Sequence, residues 1–252
     1  MPDKQNLEER LISQVAERSI SNQLDTAEQI DIYVQTDILK VVQGQADGVT
    51  VSGQGLVTKQ NIRVQEIQVK TDSIAINPLS AIFGEVQLDK PVNLTARVIL
   101  TEADINSALT SDLTRNFMQD FELNVDREII SFEMQDMQIF LPSDGQMGFR
   151  GNFLLKEKNH RRSLGFTAML RPRTHSQPII LESFHCTQGE GVSLELITAL
   201  VQKAQELVNL PYLVWEGMKI RIKNMEIRQS ILILLLEVNL AQLPEAIMEN
   251  SD

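Results

Sequence analysis

The amino-acid sequence predicts an α+β fold that is mainly antiparallel β, with a curved sheet wrapped on amphipathic helices. Short stretches in which apolar and polar residues alternate recur along most of the chain. A few stretches have helical spacing instead, and one strand-like pattern recurs three times in a form that indicates curvature. The 252 residues contain no linker rich in Pro, Gly and Ser, so we expect one domain over residues 1–252.

Strands are predicted where apolar side chains occupy every second position, because successive side chains of a strand point to opposite faces. Such stretches are Ile30 to Val34, Val49 to Val51, Val92 to Leu94 and Ile220 to Ile222. Turn signals such as Asp47-Gly48 and Asp144-Gly145 separate them, which indicates about nine to twelve strands.

Three helices are predicted from spacings of three and four residues. Near the start, Leu7, Leu11 and Val15 indicate an amphipathic helix of about 15 residues. In the middle, Thr101 is a candidate N-cap with Asp104 at the capping-box position of a short helix. A third helix is expected over 193–209 and ends before Pro211. Its apolar stripe comprises Leu194, Ile197, Val201, Ala204 and Val208, widened by Leu196, Leu200 and Leu207.

One apolar pattern occurs at residues 62–69, 132–139 and 220–227, which indicates a weak internal repeat. In each copy the apolar residues are separated by two, three and two positions. The three-residue step changes strand parity, so either a β-bulge or a change of buried face is expected there. These steps are Gln65-Glu66, Gln135-Asp136 and Lys223-Asn224. Bulged strands curve a sheet, as wrapping it around a helix or an elongated cavity requires.

The charge distribution argues against nucleic-acid binding, because the net charge is −11 and phosphate neutralisation requires a basic surface. Residues 150–175 are an exception, with a net charge of +6. We expect this segment to be either a solvated hairpin or a contact surface for an anionic membrane. The candidate membrane-contact residues are Arg161, Arg162, Arg171 and Arg173.

No signature of catalysis or metal binding is recognisable. His160, His175 and His185 are scattered, and Cys186 is the only cysteine, which excludes an internal disulfide and indicates a buried, structural thiol. We therefore predict no enzyme, catalytic residue, metal or cofactor. The start of the sequence lacks a secretory signal, and the longest apolar run is too short to span a membrane. The expected location is cytoplasmic, peripheral to a membrane.

The stretch from Ile76-Asn77-Pro78-Leu79 through Gly84, Leu88 and Pro91, followed by residues 100–106 and Ala108-Leu109, resembles the DUF2993 family of LmeA-like phospholipid-binding proteins. Gly44 and Gly55-Leu56-Val57 are similar as well. The resemblance covers residues 5–240 and is clearest over 44–110. It implies a relative of the tubular lipid-binding proteins, in which a long helix lies against a curved antiparallel sheet and lipid fills an apolar groove. It implies no catalytic residue, and its motifs specify a fold rather than an activity.

These observations lead to two hypotheses. The first is a lipid-binding or lipid-transfer protein that holds the acyl chains of a phospholipid, or another apolar ligand, in an apolar groove. The residues expected to line this groove are Leu194, Ile197, Val201, Ala204, Val208, Ile62, Val64, Ile67, Met134, Met137, Ile220, Ile222 and Met225. The second is a non-enzymatic assembly or scaffold protein whose groove receives a protein segment. The sequence favours no particular oligomeric state.

Overall fold

The computed structural model describes residues 24–37, 39–40, 43–58, 61–75, 88–111, 121–125, 128–142, 144–156, 160–189, 193–215 and 218–241. Strands take up 65% of these residues, and the pairings with defined register are antiparallel. The prediction of a mainly antiparallel β protein is therefore confirmed. The predicted helix around Leu7, Leu11 and Val15 lies outside the described residues.

The described residues form fifteen strands and two helices. The strands are β1 (Leu24–Thr26), β2 (Gln29–Gln35), β3 (Gln45–Ala46), β4 (Gly48–Thr58), β5 (Arg63–Thr71), β6 (Ile74–Ala75), β7 (Val92–Thr101), β8 (Phe121–Val125), β9 (Glu128–Phe140), β10 (Met147–Lys156), β11 (Arg161–Arg171), β12 (Ile180–Gln188), β13 (Leu213–Trp215), β14 (Met218–Arg228) and β15 (Ile231–Leu240). The helices are α1 (Glu102–Leu109) and α2 (Leu194–Val208). The expected count of nine to twelve strands is too low, because several strands are only two or three residues long and such short strands show no alternating pattern in the sequence.

The chain divides into two compact units. Unit 1 takes its described residues from Met1–Ile99, Pro211–Lys223 and Leu234–Asp252. Unit 2 takes them from Leu100–Leu210 and Asn224–Ile233. The interpretation of residues 1–252 as one domain stays a prediction.

The strands form three sheets. Eight strands pair in the order β1-β4-β5-β7-β15-β14-β13, with β2 also paired to β4. Five consecutive strands of unit 2 pair in the order β12-β11-β10-β9-β8, and β3 pairs with β6. The five-stranded sheet is built from strands adjacent in sequence, as turn signals between alternating stretches predict.

The repeated spacing has different structural outcomes in its three copies. In β9 the register against β10 shifts by one residue, so that Gln135 is an extra residue between Met134 and Asp136. This bulge is one of the two outcomes expected at Gln135-Asp136, and it brings the two apolar halves of the copy to one face. In β5 the register against β4 and β7 is constant, so there is no bulge and the apolar residues change face instead. β14 runs as one strand across Lys223 and Asn224. The internal repeat stays a prediction.

Helix α1 begins as predicted. The Thr101 hydroxyl accepts a hydrogen bond from the Asp104 backbone N–H, and the Asp104 side chain accepts one from the Thr101 backbone N–H, which forms the capping box. Farther along the helix, the Asn106 amide donates to the Ile139 carbonyl at 2.7 Å and accepts from the Ile139 N–H at 2.8 Å. The same side chain therefore satisfies both backbone groups of a residue in β9.

Helix α2 spans the predicted segment. The Ser193 hydroxyl accepts a hydrogen bond from the Leu196 N–H at its start, and Pro211 follows its end. Immediately after the helix, the Asn209 side chain bonds both backbone groups of Ile179 at 3.1 Å each. An asparagine thus fixes each described helix to the backbone of unit 2. Cys186 is exposed in β12, so the prediction of a buried thiol is wrong.

Candidate functional site

The interior of unit 2 is a filled hydrophobic core. It comprises Leu123, Val125, Ile130, Phe132, Phe153, Leu155, Leu164, Phe166, Ala168, Leu196 and Leu200. Phe153 stacks on Phe166 with ring centroids 4.8 Å apart and meets Phe132 edge-on at 5.9 Å. Phe132, Leu155 and Leu164 have no exposed surface. Close ring packing of this kind stabilises a core and occupies the volume between α2 and the five-stranded sheet.

The groove residues predicted on α2 lie in different environments. Leu196 and Leu200 contribute to the core, and Ile197 packs against it. Leu194 is 76% exposed at the first turn, and Val201 is half-buried. The side chains of Ala204 and Val208 lie outside the described residues. The stripe that faces the sheet is therefore centred on Leu196 and Leu200 rather than on Leu194.

The three methionines of the predicted groove also lie in unit 2. Met134 packs against the filled core. Met137 and Met225 are half-buried, and the Met225 backbone N–H donates to the Arg173 carbonyl at 2.8 Å. These positions define no open channel by themselves, so their role in ligand binding stays a prediction.

In unit 1 the large sheet has a polar face. Lys70 and Thr95 are direct partners across β5 and β7, and Asn93 follows on the same side of β7 by alternation. The Asn239 side-chain amide donates a hydrogen bond to the Asn93 side-chain oxygen at 2.8 Å, so Asn239 of β15 lies on the same side of the sheet as Asn93. The Lys223 ammonium forms an ion pair with the Glu237 carboxylate at 2.8 Å, so Lys223 of β14 lies on this side as well. We call this side the polar face; by alternation it also carries Lys219 and Arg221.

The opposite side of these strands is the apolar face. It carries Ile67, Val69, Ala96, Val98, Ile220, Ile222, Leu236 and Val238, by cross-strand pairing of β5 with β7 and by alternation within β14 and β15. Ala96 and Val238 are buried, but the other six are only half-buried. Three predicted groove residues, Ile67, Ile220 and Ile222, therefore share one incompletely covered face.

Val64 does not belong to that face. Because β5 pairs regularly with β4 and β7, Val64 lies on the side of Lys70, opposite Ile67. Val64 and Ile67 therefore lie on opposite faces of β5, and their role in lining a groove stays a prediction. Ile62 precedes β5 and is half-buried.

A pocket of about 600 Å³ lies in unit 1. Its described lining comprises Lys70, Asp72, Asn93, Leu94, Thr95, Pro211, Tyr212, Lys219, Arg221, Glu237, Val238 and Asn239. None of the predicted groove residues is in this lining. Sequence reasoning missed the pocket because its cations alternate with apolar residues along strands, as they would on any solvated face.

The four arginines predicted to contact a membrane do not form one cluster. Arg161 and Arg162 pair with Lys156 and Leu155 at one end of the β10–β11 hairpin. Arg171 lies at the other end of β11, about 30 Å away at roughly 3.3 Å per residue, and forms an ion pair with Glu182. The Arg173 guanidinium donates to the Asn209 side chain at 3.2 Å. In the same hairpin the Lys156 ammonium, at 2.7 Å, holds the pKa of the Glu133 carboxyl below its ordinary value.

The polar residues of α1 have structural rather than catalytic contacts. Asp104 completes the capping box, and Glu102 accepts the Leu141 N–H at 2.8 Å. Among the described residues, no group of three or more His, Cys, Asp or Glu side chains is arranged to hold a metal ion. None of the helices in this part of the chain is long and apolar enough to cross a membrane.

Together, these features define a β-sheet protein with an incompletely covered apolar face, a polar pocket and no catalytic constellation among the residues described above. A family model matches residues 3–237, and the chain belongs to the LmeA-like phospholipid-binding family. No curated protein and no solved structure matches the chain.

Proposed function

We propose that this protein is a non-catalytic lipid-binding or lipid-transfer protein that holds phospholipid acyl chains on the apolar face of unit 1. The observation that carries the proposal is that six aliphatic side chains of this face remain half-buried in a member of a phospholipid-binding family. Covering apolar surface is favourable by about 25 cal/mol per Å². An acyl chain laid across Ile67, Ile220 and Ile222 would supply that cover.

Unit 1 is a better place for acyl chains than the space under α2. The core of unit 2 is closed by Phe132, Phe153 and Phe166, whose rings are in mutual contact. Opening room for a ligand there would break contacts that are worth several kcal/mol in a packed core. A ligand that covers the half-buried residues of unit 1 would not have to break packing contacts of this kind.

The scaffold hypothesis remains the second candidate, because an apolar sheet face also suits a protein segment. Family membership favours lipid over a polypeptide occupant. Transfer between membranes, rather than static binding, requires that the lipid enter and leave the folded protein. Localisation at the cytoplasmic side of a membrane stays a prediction.

Native mass spectrometry of protein purified without detergent tests the proposal directly. We expect a phospholipid mass on the wild-type chain and a reduced loaded fraction for Ile222→Trp, which places a bulky ring on the apolar face. Ile129→Trp is the matched control, because Ile129 is 59% exposed in unit 2 and its replacement should leave loading unchanged. A lipid-free wild type that stays lipid-free after incubation with vesicles, or a stoichiometric polypeptide in its place, would contradict the proposal.

A further inference from the structure

The pocket of unit 1 is lined by three cations, Lys70, Lys219 and Arg221. Lys70, Lys219 and Arg221 form no ion pair with the part of the chain that the structure describes. Glu237 is already paired with Lys223 at 2.8 Å, so Asp72 is the remaining carboxylate of the described lining. The local balance is positive, although the whole chain carries −11. A pocket with this balance favours an anionic group.

An exposed apolar segment, residues 211–214, adjoins the pocket. Pro211 and Tyr212 belong to the lining, and Tyr212, Leu213 and Val214 are 48%, 46% and 60% exposed. Leu213 and Val214 lie in β13, the last strand in the order of the large sheet. Adjacent exposed apolar side chains of this kind mark interaction surfaces, and a tyrosine among them suits the boundary between hydrocarbon and water.

Tyr212 also connects the segment to the charged lining. The Lys219 ammonium lies 5.7 Å from the centroid of the Tyr212 ring, within the range of a cation–π interaction. This contact holds one cation of the pocket beside the apolar segment. An exposed apolar segment beside a pocket lined by three cations matches the boundary between the acyl and headgroup regions of a phospholipid bilayer.

We propose that this pocket is a headgroup site, in which Lys70, Lys219 and Arg221 bind the phosphate of a bilayer phospholipid while residues 211–214 enter the interface. The inference deepens the proposed function and rests on it. It identifies where the protein would meet a membrane, and it assigns the docking to unit 1 rather than to the β10–β11 hairpin. Lysine and arginine near an anionic surface each favour binding by roughly a factor of five.

The test measures binding to vesicles of phosphatidylglycerol and phosphatidylcholine through the fluorescence of Trp215, the only tryptophan of the chain. We expect Arg221→Gln to weaken binding about fivefold and Lys219→Gln with Arg221→Gln about 30-fold. Arg161→Gln is the matched control: Arg161 is an exposed arginine of unit 2, and its replacement should change binding less than about twofold. Equal losses for Arg161→Gln and Arg221→Gln, or wild-type binding by the pocket double variant, would overturn the proposal.

A second variant separates a bilayer from a soluble phosphate. Leu213→Ser with Val214→Ser should weaken vesicle binding by at least about tenfold and leave the binding of sn-glycerol 3-phosphate, measured by NMR shifts, unchanged. Unchanged vesicle binding by this variant would overturn membrane docking through residues 211–214. If the pocket double variant still loads lipid and binds vesicles like the wild type, only the headgroup site fails. If the wild type itself takes up no phospholipid, the proposed function fails as well.

Discussion

Two leucines two positions apart on α2 provide a direct test of which side of this helix is structural. Leu196 is 1% exposed and Leu194 is 76% exposed. Replacing each by alanine therefore compares a change in the core with the same change on the surface. Leu196→Ala removes two methyl groups and one methine carbon from among packed side chains. It should lower the free energy of unfolding by about 3 kcal/mol, within the range of 2–5 kcal/mol for such changes. Leu194→Ala should change it by less than about 0.5 kcal/mol.

Urea denaturation followed by far-ultraviolet circular dichroism measures both variants. The comparison requires that the slope of the transition be the same, because only then does a shifted midpoint report stability alone. Lipid loading by native mass spectrometry should be unchanged in the folded fraction of both, because neither residue lies on the apolar face of unit 1.

Similar stability losses for the two variants would refute the assignment of the core. If Leu196→Ala lowers the free energy of unfolding by less than about 1 kcal/mol and also alters lipid loading, both the assignment of the core and the placement of lipid on unit 1 would be contradicted. That result would mean that the space between α2 and the five-stranded sheet accommodates a ligand, as the sequence alone suggested.

Two further predictions concern β9. Asn106→Ala removes the side-chain partner of the Ile139 N–H and carbonyl, and should lower the free energy of unfolding in urea by about 2 kcal/mol, at roughly 1 kcal/mol per hydrogen bond. Ser107 is an exposed neighbour, so Ser107→Ala should leave the free energy of unfolding almost unchanged. Equal effects of the two substitutions would argue against the Asn106 contact. Deleting Gln135 removes the bulge residue yet keeps the apolar residues of β9 on one face, whereas deleting Gln138 moves Ile139 to the other face. The Gln138 deletion should therefore be clearly the less stable of the two, and the reverse order would contradict the observed register.

Local sequence signals predicted much of the fold. Thr101 and Asp104 are three residues apart, and a capping box depends only on that spacing and on backbone geometry. At Gln135-Asp136 the spacing predicted either a bulge or a change of buried face, and β9 has the bulge, which lets Phe132, Met134, Met137 and Ile139 share a face. In β5 the same spacing has no bulge. Which outcome occurs depends on the partner strands, and the spacing within one strand does not contain that information.

The candidate site was less predictable. The sequence of α2 carries a wide apolar stripe, but the spacing of Leu194, Ile197 and Val201 does not say which part of that stripe meets the sheet. The pocket joins residues that are far apart in sequence, such as Lys70, Tyr212 and Arg221. Only the pairing of β5, β7, β15 and β14 brings them together, and a single sequence carries no direct signal for that pairing.

The Asn106 contact has a consequence for how copies of this protein meet. β8 pairs with β9 only as far as Phe132, so the remaining half of β9 presents one side without a neighbouring strand among the described residues. Backbone groups on such a side can recruit a strand from another molecule. The Asn106 side-chain amide forms hydrogen bonds with both the N–H and the carbonyl of Ile139, and the Glu102 carboxylate accepts a hydrogen bond from the Leu141 N–H. Helix α1 therefore acts as a cover against intermolecular strand addition, and its loss would expose a template for aggregation.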